Sequence, residues 1–328
     1  MRVLAGDVGG TKTALAIVEI GGRRCRVLRH ERYHSADHRG LEEIVVDFLS
    51  AERGALPAAA GFGVAGPVRA GRARITNLSW RLDERRLSRR TGIRRVVLVN
   101  DFGANARGLR YLGPRQTATL ARGRPDAHGP IALLGAGTGL GQAVLLRVDD
   151  RDVVVASEGG HVDFGPRTPV EDRLDAFLRR RFGRTTRERI LSGSGLGLVY
   201  DFLLRDGAAR SGPAAALEIR TAEDRAAAIS RLGLAGRDPL ARKALALFVT
   251  IYGSEAGNLA LQYRATGGVF VAGGIAPKIL KAMKAQAFLR SFRDKPPMKP
   301  LLADIPVRVV LDDNLGLYGA AAAAAARR

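Results

Sequence analysis

The hydrophobic pattern begins with two short apolar strands joined by a glycine-rich turn, and this combination recurs after residue 130. The first turn is Gly6–Thr13 and the second is Gly135–Gly141, and both contain threonine. The four strands beside these turns are predicted over 2–5, 14–20, 131–134 and 143–148. Since internal duplication is the simplest origin of such a repeat, the pattern predicts two related halves.

The remaining pattern alternates between apolar strands and amphipathic helices. Asp83 is predicted to cap one helix, and Thr221, followed by Asp224, to begin another. Further strands are predicted over 25–33, 58–64, 94–99, 267–272 and 307–311. Further helices are predicted over 41–50, 103–111, 170–182, 239–263 and 319–328, and one more begins at about residue 277. The chain therefore opens with antiparallel strands of a mixed sheet. A glycine-, proline- and polar-rich stretch over 113–130 places a domain boundary near its start.

The composition is typical of a globular protein of two domains. The chain has 328 residues, 46% of them hydrophobic, and a mean hydropathy of −0.04. Its single cysteine, Cys25, excludes an internal disulfide and a cysteine-based zinc cluster. Asp7 comes too early for a secretory signal, and no apolar run approaches the length of a membrane span. We therefore expect a cytoplasmic protein without membrane contact.

The net charge of +21 and the pI near 11.2 predict a field that attracts anions, including nucleotides and nucleic acids. The positive residues are mostly arginines in short clusters, as at Arg85-Arg86 and Arg179–Arg181. There is no long basic tail, and aromatic residues make up only 5% of the chain, so base-stacking positions are few. A solvated arginine-rich surface is therefore favoured over nucleic-acid binding.

One buried strand is followed directly by an amide and a carboxylate. Val96–Val99 has no polar interruption, which is typical of a parallel strand covered on both faces, and Asn100-Asp101 comes next. Ligands of open α/β sheets lie beyond the carboxyl ends of the strands, so Asp101 is a candidate general base. The alternative is that both residues simply end the strand and cap the next helix.

Three glycine-rich turns could hold phosphate groups through backbone N–H groups. The turn at Gly6–Thr11 adds Asp7, whose carboxylate would need Mg²⁺ between itself and a phosphate. The turn at Gly135–Gly141 adds Thr138, and Gly273-Gly274 would let an adenine approach the backbone. None of them fits a Walker motif or a dinucleotide fingerprint. A tight hairpin also needs glycine for conformation alone, but three such turns favour a nucleotide site.

A second group of polar residues could bind a substrate. Glu158 and His161 flank two glycines, so both side chains can turn towards one ligand, and Glu188 begins a predicted helix. Asn77 could line a polar cleft. The alternatives are a loop histidine that is merely hydrogen-bonded and a first-turn acid that is favoured by the helix dipole.

Seven segments together resemble bacterial glucokinases of the Glk type, in the hexokinase–actin–Hsp70 superfamily. They follow in family order over nearly the whole chain: GDVGGT (6–11), LVNDF (98–102), GAGTGLG (135–141), EGGHVDF (158–164), RERILSG (187–193), FVAGGIAP (270–277) and DNLGLYG (313–319). The related ROK sugar kinases usually carry a cysteine-rich zinc motif, which one cysteine excludes here. The arginine content is higher than is usual in this family. It leaves the seven motifs intact and affects only the surface of the protein and its contacts with partners.

The resemblance implies an α/β, two-domain, actin-like ATPase (ribonuclease H-like) fold, with mixed sheets, flanking helices and a cleft between the domains. Residues 1–110 and 312–328 would form a small domain, and 111–311 a large one. The implied reaction is ATP-dependent phosphorylation of D-glucose at its 6-hydroxyl. Kinases of another hexose, and a non-catalytic sugar- or nucleotide-sensing protein that binds nucleic acid, remain as alternatives.

The resemblance also implies a role for each motif. Asp101 would take the proton from the 6-hydroxyl of the sugar, and Asp7 would lie near Mg²⁺, through water. The other sugar hydroxyls would be held by Asn100, Glu158, His161 and Glu188, and Asn77 is a further candidate sugar ligand from its polar segment. MgATP would be bound by Gly6, Asp7, Val8, Gly9, Gly10, Thr11, Gly135, Gly137, Thr138, Gly139, Gly273 and Gly274. A homodimer is also expected.

Overall fold

A computed structural model describes residues 1–52, 54–75, 78–149 and 151–326. The chain divides into two compact units. Unit 1 consists of Met1–Gln116, Asp152–Ala156 and Asp312–Arg328, and unit 2 of Thr117–Arg151 and Ser157–Leu311. Each unit has its own sheet and its own apolar core.

The strands in chain order are β1 (Arg2–Val8), β2 (Lys12–Gly21), β3 (Arg24–His34), β4 (Ala59–Val64), β5 (Val68–Arg69), β6 (Arg72–Arg74), β7 (Arg81–Asp83), β8 (Val96–Asn100), β9 (Thr117–Ala121), β10 (Ile131–Ala136), β11 (Leu140–Val148), β12 (Arg151–Ser157), β13 (Gly268–Ala272) and β14 (Val307–Val310). The helices are α1 (Leu41–Ser50), α2 (Glu84–Thr91), α3 (Asp101–Gly108), α4 (Pro169–Phe182), α5 (Arg187–Ile190), α6 (Gly193–Arg205), α7 (Pro213–Thr221), α8 (Arg225–Leu234), α9 (Pro239–Gln262), α10 (Leu280–Lys284), α11 (Ala287–Arg293), α12 (Lys299–Asp304) and α13 (Leu315–Ala325).

The two main sheets have the same strand order. The sheet of unit 1 runs β3-β2-β1-β4-β8, with β1 antiparallel to β2 and parallel to β4, which is parallel to β8. The second sheet runs β12-β11-β10-β13-β14-β9, with β10 antiparallel to β11 and parallel to β13. The second order is the first with β9 added, which supports the duplication predicted from the repeated turns.

The long helix α9 forms the centre of the core of unit 2. Asp238 caps it by accepting a hydrogen bond from the N–H of Ala241 at 2.7 Å, and Pro239 takes the first position. The sequence expectation that no apolar run approaches the length of a membrane span was wrong for α9, which by length and composition alone could cross one. However, 72% of its apolar stretch is buried in the protein. Phe248 and Tyr252 are fully buried in this core, so α9 is a core helix.

Several sequence predictions were wrong in detail. Thr221 does not begin a helix: it ends α7, and Asp224 is the residue that caps α8. The helix expected from about 277 begins at Leu280, and the terminal helix begins at Leu315 rather than at residue 319. The helix α6 was missed because its glycine-rich start has low helix propensity, although Ser192 caps it. The strands β9 and β12 and the small sheet of β5–β7 were also missed.

Glycines allow α13 to pack closely in unit 1. A Cβ at Gly319 would lie 1.6 Å from the carbonyl oxygen of Ala104 in α3. A Cβ at Gly108 would lie 2.2 Å from the carbonyl oxygen of Leu315, so the close approach depends on glycine in both helices. Because both contacts involve backbone atoms, a side chain could be accommodated only if one helix moved.

We expect Gly319→Ala to lower the free energy of unfolding by about 1–3 kcal/mol, as overpacking in a core does. The matched control is Gly197→Ala in α6, where a Cβ would meet its nearest atom at an ordinary 3.5 Å. The control should be neutral or slightly stabilising, because alanine favours helix over glycine. Urea unfolding of both variants tests this, and equal midpoints would contradict the packing argument.

Candidate active site

Asp7 and Asp101 lie at the carboxyl ends of parallel strands in unit 1. Asp7 pairs in register with Gly63 of β4, and Gly63 pairs with Val99 of β8. Asp101 follows two residues later, as the first residue of α3. The two carboxylates are close enough for the charge of Asp101 to raise the pKa of Asp7. The structure therefore brings together the carboxylates of the first two sequence motifs.

The electrostatics around Asp7 favour a cation. Burial, and secondly the charge of Asp101, raise the pKa of Asp7 to about 6. A Cβ at Gly316 would lie 3.1 Å from Oδ2 of Asp7 and 3.3 Å from Oδ1 of Asn105, so the first turn of α13 lies against this carboxylate. A divalent cation near Asp7 would relieve the repulsion between the two carboxylates.

Asn100 caps α3, as the alternative interpretation of this motif predicted. Its Oδ1 accepts a hydrogen bond from the N–H of Gly103 at 3.0 Å, and its Nδ2 donates to the carbonyl oxygen of Gly66 at 3.3 Å. Oδ1 of Asp101 accepts a hydrogen bond from the N–H of Phe102 at 2.8 Å. The cap fixes the start of α3 and thereby the position of Asp101.

The first glycine-rich turn is held by a serine that sequence reasoning did not select. Ser35 is buried; its Oγ donates to the carbonyl oxygen of Gly9 at 2.9 Å, and its N–H donates to that of Thr11 at 2.9 Å. Gly9, Gly10 and Thr11 form the turn itself, whereas Gly6 and Val8 lie buried inside β1. A Cβ at Gly6 would lie 2.4 Å from the ring of Phe62, so glycine there also serves packing.

The second glycine-rich turn joins β10 to β11 in unit 2. The N–H of Gly137 donates to the carbonyl oxygen of Gly139 at 2.8 Å. The carbonyl oxygen of Gly137 in turn accepts a hydrogen bond at 2.9 Å from the N–H of Gly193, at the start of α6. Thr138 is exposed at the tip, and Gly135 is buried in β10. A Cβ at Gly137 would meet no atom within 4 Å, so the turn leaves space for a ligand.

Gly273-Gly274 lies at the same edge of this sheet. It directly follows β13, whose last residue, Ala272, pairs in parallel with Gly135. Gly273 has a φ of +82°, and a Cβ there would lie 2.5 Å from the carbonyl oxygen of Ala136. Both facts require glycine at this position. Gly274 is exposed, and the space around its Cα is open.

Glu188 lies against the second turn and beside His161. The N–H of Leu140 donates to Oε2 of Glu188 at 2.9 Å, and Nδ1 of His161 lies 3.8 Å from Oε1 of Glu188. Gly139 permits this approach, because a Cβ there would lie 2.4 Å from Oε2. Glu158 is exposed and directly precedes the short 3₁₀ turn Gly159–His161. The structure thus places three predicted sugar ligands on neighbouring segments of unit 2, while Asn77 lies outside the described residues.

The chain is similar to known proteins over nearly its whole length. A family profile described as Glucokinase matches residues 4–327. The chain belongs to the glucokinase family. The glucokinase of Nostoc punctiforme is 41% identical to it, over 98% of this chain and 98% of the Nostoc chain. The glucokinase of Synechocystis sp. is also 41% identical, over 99% of this chain and 98% of the Synechocystis chain. The crystal structure of a glucokinase from an Antarctic psychrotroph matches with a TM-score of 0.86 at 30% identity, over 98% of both chains.

Membership of the glucokinase family confirms the predicted fold and reaction. The fold is the actin-like α/β fold with mixed sheets, and the enzyme phosphorylates glucose with ATP. The motif resemblance sufficed for these two conclusions. It did not reveal Ser35 or Asn105, which lie outside the seven motifs, or the approach of Gly316 in the last motif to Asp7 in the first.

Proposed function

We propose that Asp101 is the general base of this glucokinase and takes the proton from the 6-hydroxyl of glucose. The observation that carries this assignment is its position, at the carboxyl end of β8 and at the start of a capped helix, beside Asp7. Phosphoryl transfer depends on positioning and charge neutralisation more than on covalent chemistry, so a fixed carboxylate suffices as base.

We further propose that Asn77, Asn100, Glu158, His161 and Glu188 bind the other hydroxyls of glucose. The contact between Glu188 and His161 supports a joint role, and both lie next to the turn proposed for phosphate. A site that hydrogen-bonds each hydroxyl discriminates against sugars that lack one of them. On this assignment glucose is the preferred hexose.

The residues at the turns fit MgATP. The phosphates would be held by the Gly9–Thr11 and Gly137–Gly139 turns. The N–H groups of Gly9 and Gly137 close these turns, and the remaining backbone N–H groups would face the phosphates. Gly273-Gly274 would border the adenosine. Gly6, Val8 and Gly135 would contribute through the backbone of the strands that position these turns. Among the described residues no cluster of three or more metal-binding side chains occurs, so Mg²⁺ would be held by Asp7, through water, and by the phosphates. When bound, Mg²⁺ neutralises charge on the transferred phosphoryl group.

We also propose a cytoplasmic homodimer for this enzyme. Its substrates, glucose and ATP, are cytoplasmic metabolites, and the one long apolar helix in the described part of the chain is used in the core of unit 2. Sedimentation of the purified protein measures the oligomeric state directly, and a species of about 35 kDa would contradict the dimer.

We expect Glu188→Gln to raise the KM for glucose about 10- to 100-fold and to leave the KM for ATP nearly unchanged, because a hydroxyl loses its charged partner. A coupled assay for ADP release checks this with glucose, mannose, fructose and N-acetylglucosamine. The matched control is Glu218→Gln, which removes a partly exposed acid paired with Arg231. An unchanged KM and Kd for glucose would remove Glu188 from the site, and a higher kcat/KM with another hexose would overturn the glucose preference.

A further inference from the structure

One buried carboxylate of unit 2 has no part in the substrate contacts proposed above. Glu255, in α9, is 3% exposed. Its Oε1 accepts hydrogen bonds from Nε2 of Gln142 at 2.7 Å and from Nη1 of Arg187 at 2.6 Å, and its Oε2 accepts one from Nδ2 of Asn258 at 3.1 Å. Three donors to one buried carboxylate, one of them a guanidinium, form a charge-assisted network.

Arg187 connects Glu255 to the segment that carries Glu188. It directly precedes Glu188 in α5, a helix of only four residues, and its own N–H donates to the carbonyl oxygen of Val162 at 3.1 Å. Val162 directly follows His161. A single helical turn has little stability of its own, so its position depends on contacts with other segments.

Gln142 connects Glu255 to the other two segments. It lies in β11, two residues after Leu140, whose N–H donates to Glu188. A Cβ at Gly159 would lie 2.1 Å from Oε1 of Gln142, so this side chain also lies directly against the segment between Glu158 and His161. Glu255 is thus linked to α5, to β11 and, through Gln142, to the Gly159–His161 turn.

Charge and hydrogen bonding hold α5 to α9 through Arg187, in addition to the burial of Ile190 in the core of unit 2. The side chain of Arg187 is 15% exposed, so its charge and that of Glu255 neutralise each other away from water. A cavity of about 20 Å³, roughly the space of one water molecule, borders Arg187, Glu255 and Asn258. Burial raises the pKa of Glu255, while the charge of Arg187 and the three hydrogen bonds oppose that shift.

We propose that Glu255 is a positioning residue for glucose binding: from the core helix α9 it fixes the segments that carry Glu188, His161 and Glu158. The proposal rests on the assignment of these three residues as sugar ligands. Glu255 touches no substrate in this arrangement and acts through Arg187 and Gln142. Misplacement of hydrogen-bonding groups by about an ångström is enough to weaken binding strongly.

The test is Glu255→Gln, which keeps the shape of the side chain and removes its charge. The KM and the Kd for glucose should rise about 10- to 100-fold, and the KM for ATP should change less than about threefold. Arg187→Met should act in the same way. Since the two side chains work as one unit, the double variant should be no worse than the poorer single variant.

Two controls distinguish a positioning effect of Glu255 on glucose binding from a general loss of stability and from the loss of any negative charge in unit 2. Phe248→Leu removes fully buried volume from the same helix, so it should lower the melting temperature and leave the KM for glucose unchanged. Glu218→Gln removes a carboxylate from a more exposed ion pair elsewhere in unit 2 and should change neither quantity by much. An equal rise of KM in Phe248→Leu would show a merely structural role for Glu255.

The possible outcomes keep this proposal distinct from the site assignment. One outcome would overturn the positioning role alone. In it, Glu188→Gln binds glucose poorly, but both Glu255→Gln and Arg187→Met have the glucose KM of the wild-type enzyme. A normal Glu188→Gln variant would instead overturn the assignment of the sugar ligands. If Glu255→Gln does not fold, Arg187→Met decides, because it leaves Gln142 and Asn258 bonded to Glu255.

Discussion

Asp101→Asn is expected to lower kcat with glucose by roughly 10²- to 10⁴-fold, the usual contribution of a positioned general base. The amide keeps the shape of the side chain and cannot take the proton of the 6-hydroxyl. Glucose should still bind with a Kd close to that of the wild type, because the other hydroxyls keep their partners. Steady-state kinetics and calorimetric titration with glucose measure the two quantities separately.

The control for Asp101 is Asp37→Asn, which removes an exposed carboxylate of the same unit. Its kcat should equal that of the wild type. Asp101→Ala distinguishes the lost base from a misplaced amide, and both variants at Asp101 should be similarly slow. Near-normal turnover in either of them, with the protein shown to be folded, would remove Asp101 as the general base.

Asp7→Asn is expected to stabilise the protein while it impairs catalysis. The pKa of Asp7 is about 6 in the folded protein and about 3.8 in the unfolded chain, so between these values the folded state holds the extra proton. Stability therefore falls as pH rises from about 4 to about 6, and above pH 6 the ionised carboxylate costs about 1–3 kcal/mol. The variant should recover this free energy at pH 7.5 and very little of it at pH 4.

The activity of Asp7→Asn should fall by about 10- to 100-fold, as for residues that hold a metal through water. Thermal unfolding at pH 4 and pH 7.5, with and without Mg²⁺ and ADP, checks both parts. Mg²⁺ should add less to the ADP-dependent stabilisation of the variant than to that of the wild type. A variant less stable than the wild type at pH 7.5, or equally responsive to Mg²⁺, would contradict this account of Asp7.

The repulsion between Asp101 and Asp7 also predicts how Asp101→Asn changes the pH dependence of stability that Asp7 causes. Removing the charge of Asp101 should lower the pKa of Asp7 towards its ordinary value, but only in part, since burial is the larger cause. In Asp101→Asn the loss of stability between pH 4 and pH 6 should therefore become smaller without disappearing.

The sequence by itself determined the local architecture. Alternating and continuous apolar runs, with glycines at the turns, predicted β1–β2 and β10–β11 as related hairpins, because strand periodicity and turn conformation are properties of neighbouring residues. The motif order identified the family and its reaction. Errors came where local signals were weak, as at the glycine-rich start of α6 and the very short strands β5–β7.

Only the tertiary structure decided how these elements meet. It placed Glu188 against the turn at Gly139, where Glu188 accepts a hydrogen bond from Leu140, 48 residues earlier in the chain. It also raised the pKa of Asp7 by burying this carboxylate beside Asp101. It also joined Glu255 to Arg187, 68 residues apart. Such contacts depend on packing between distant segments, and the partners of a buried charge are chosen by that packing rather than by local sequence.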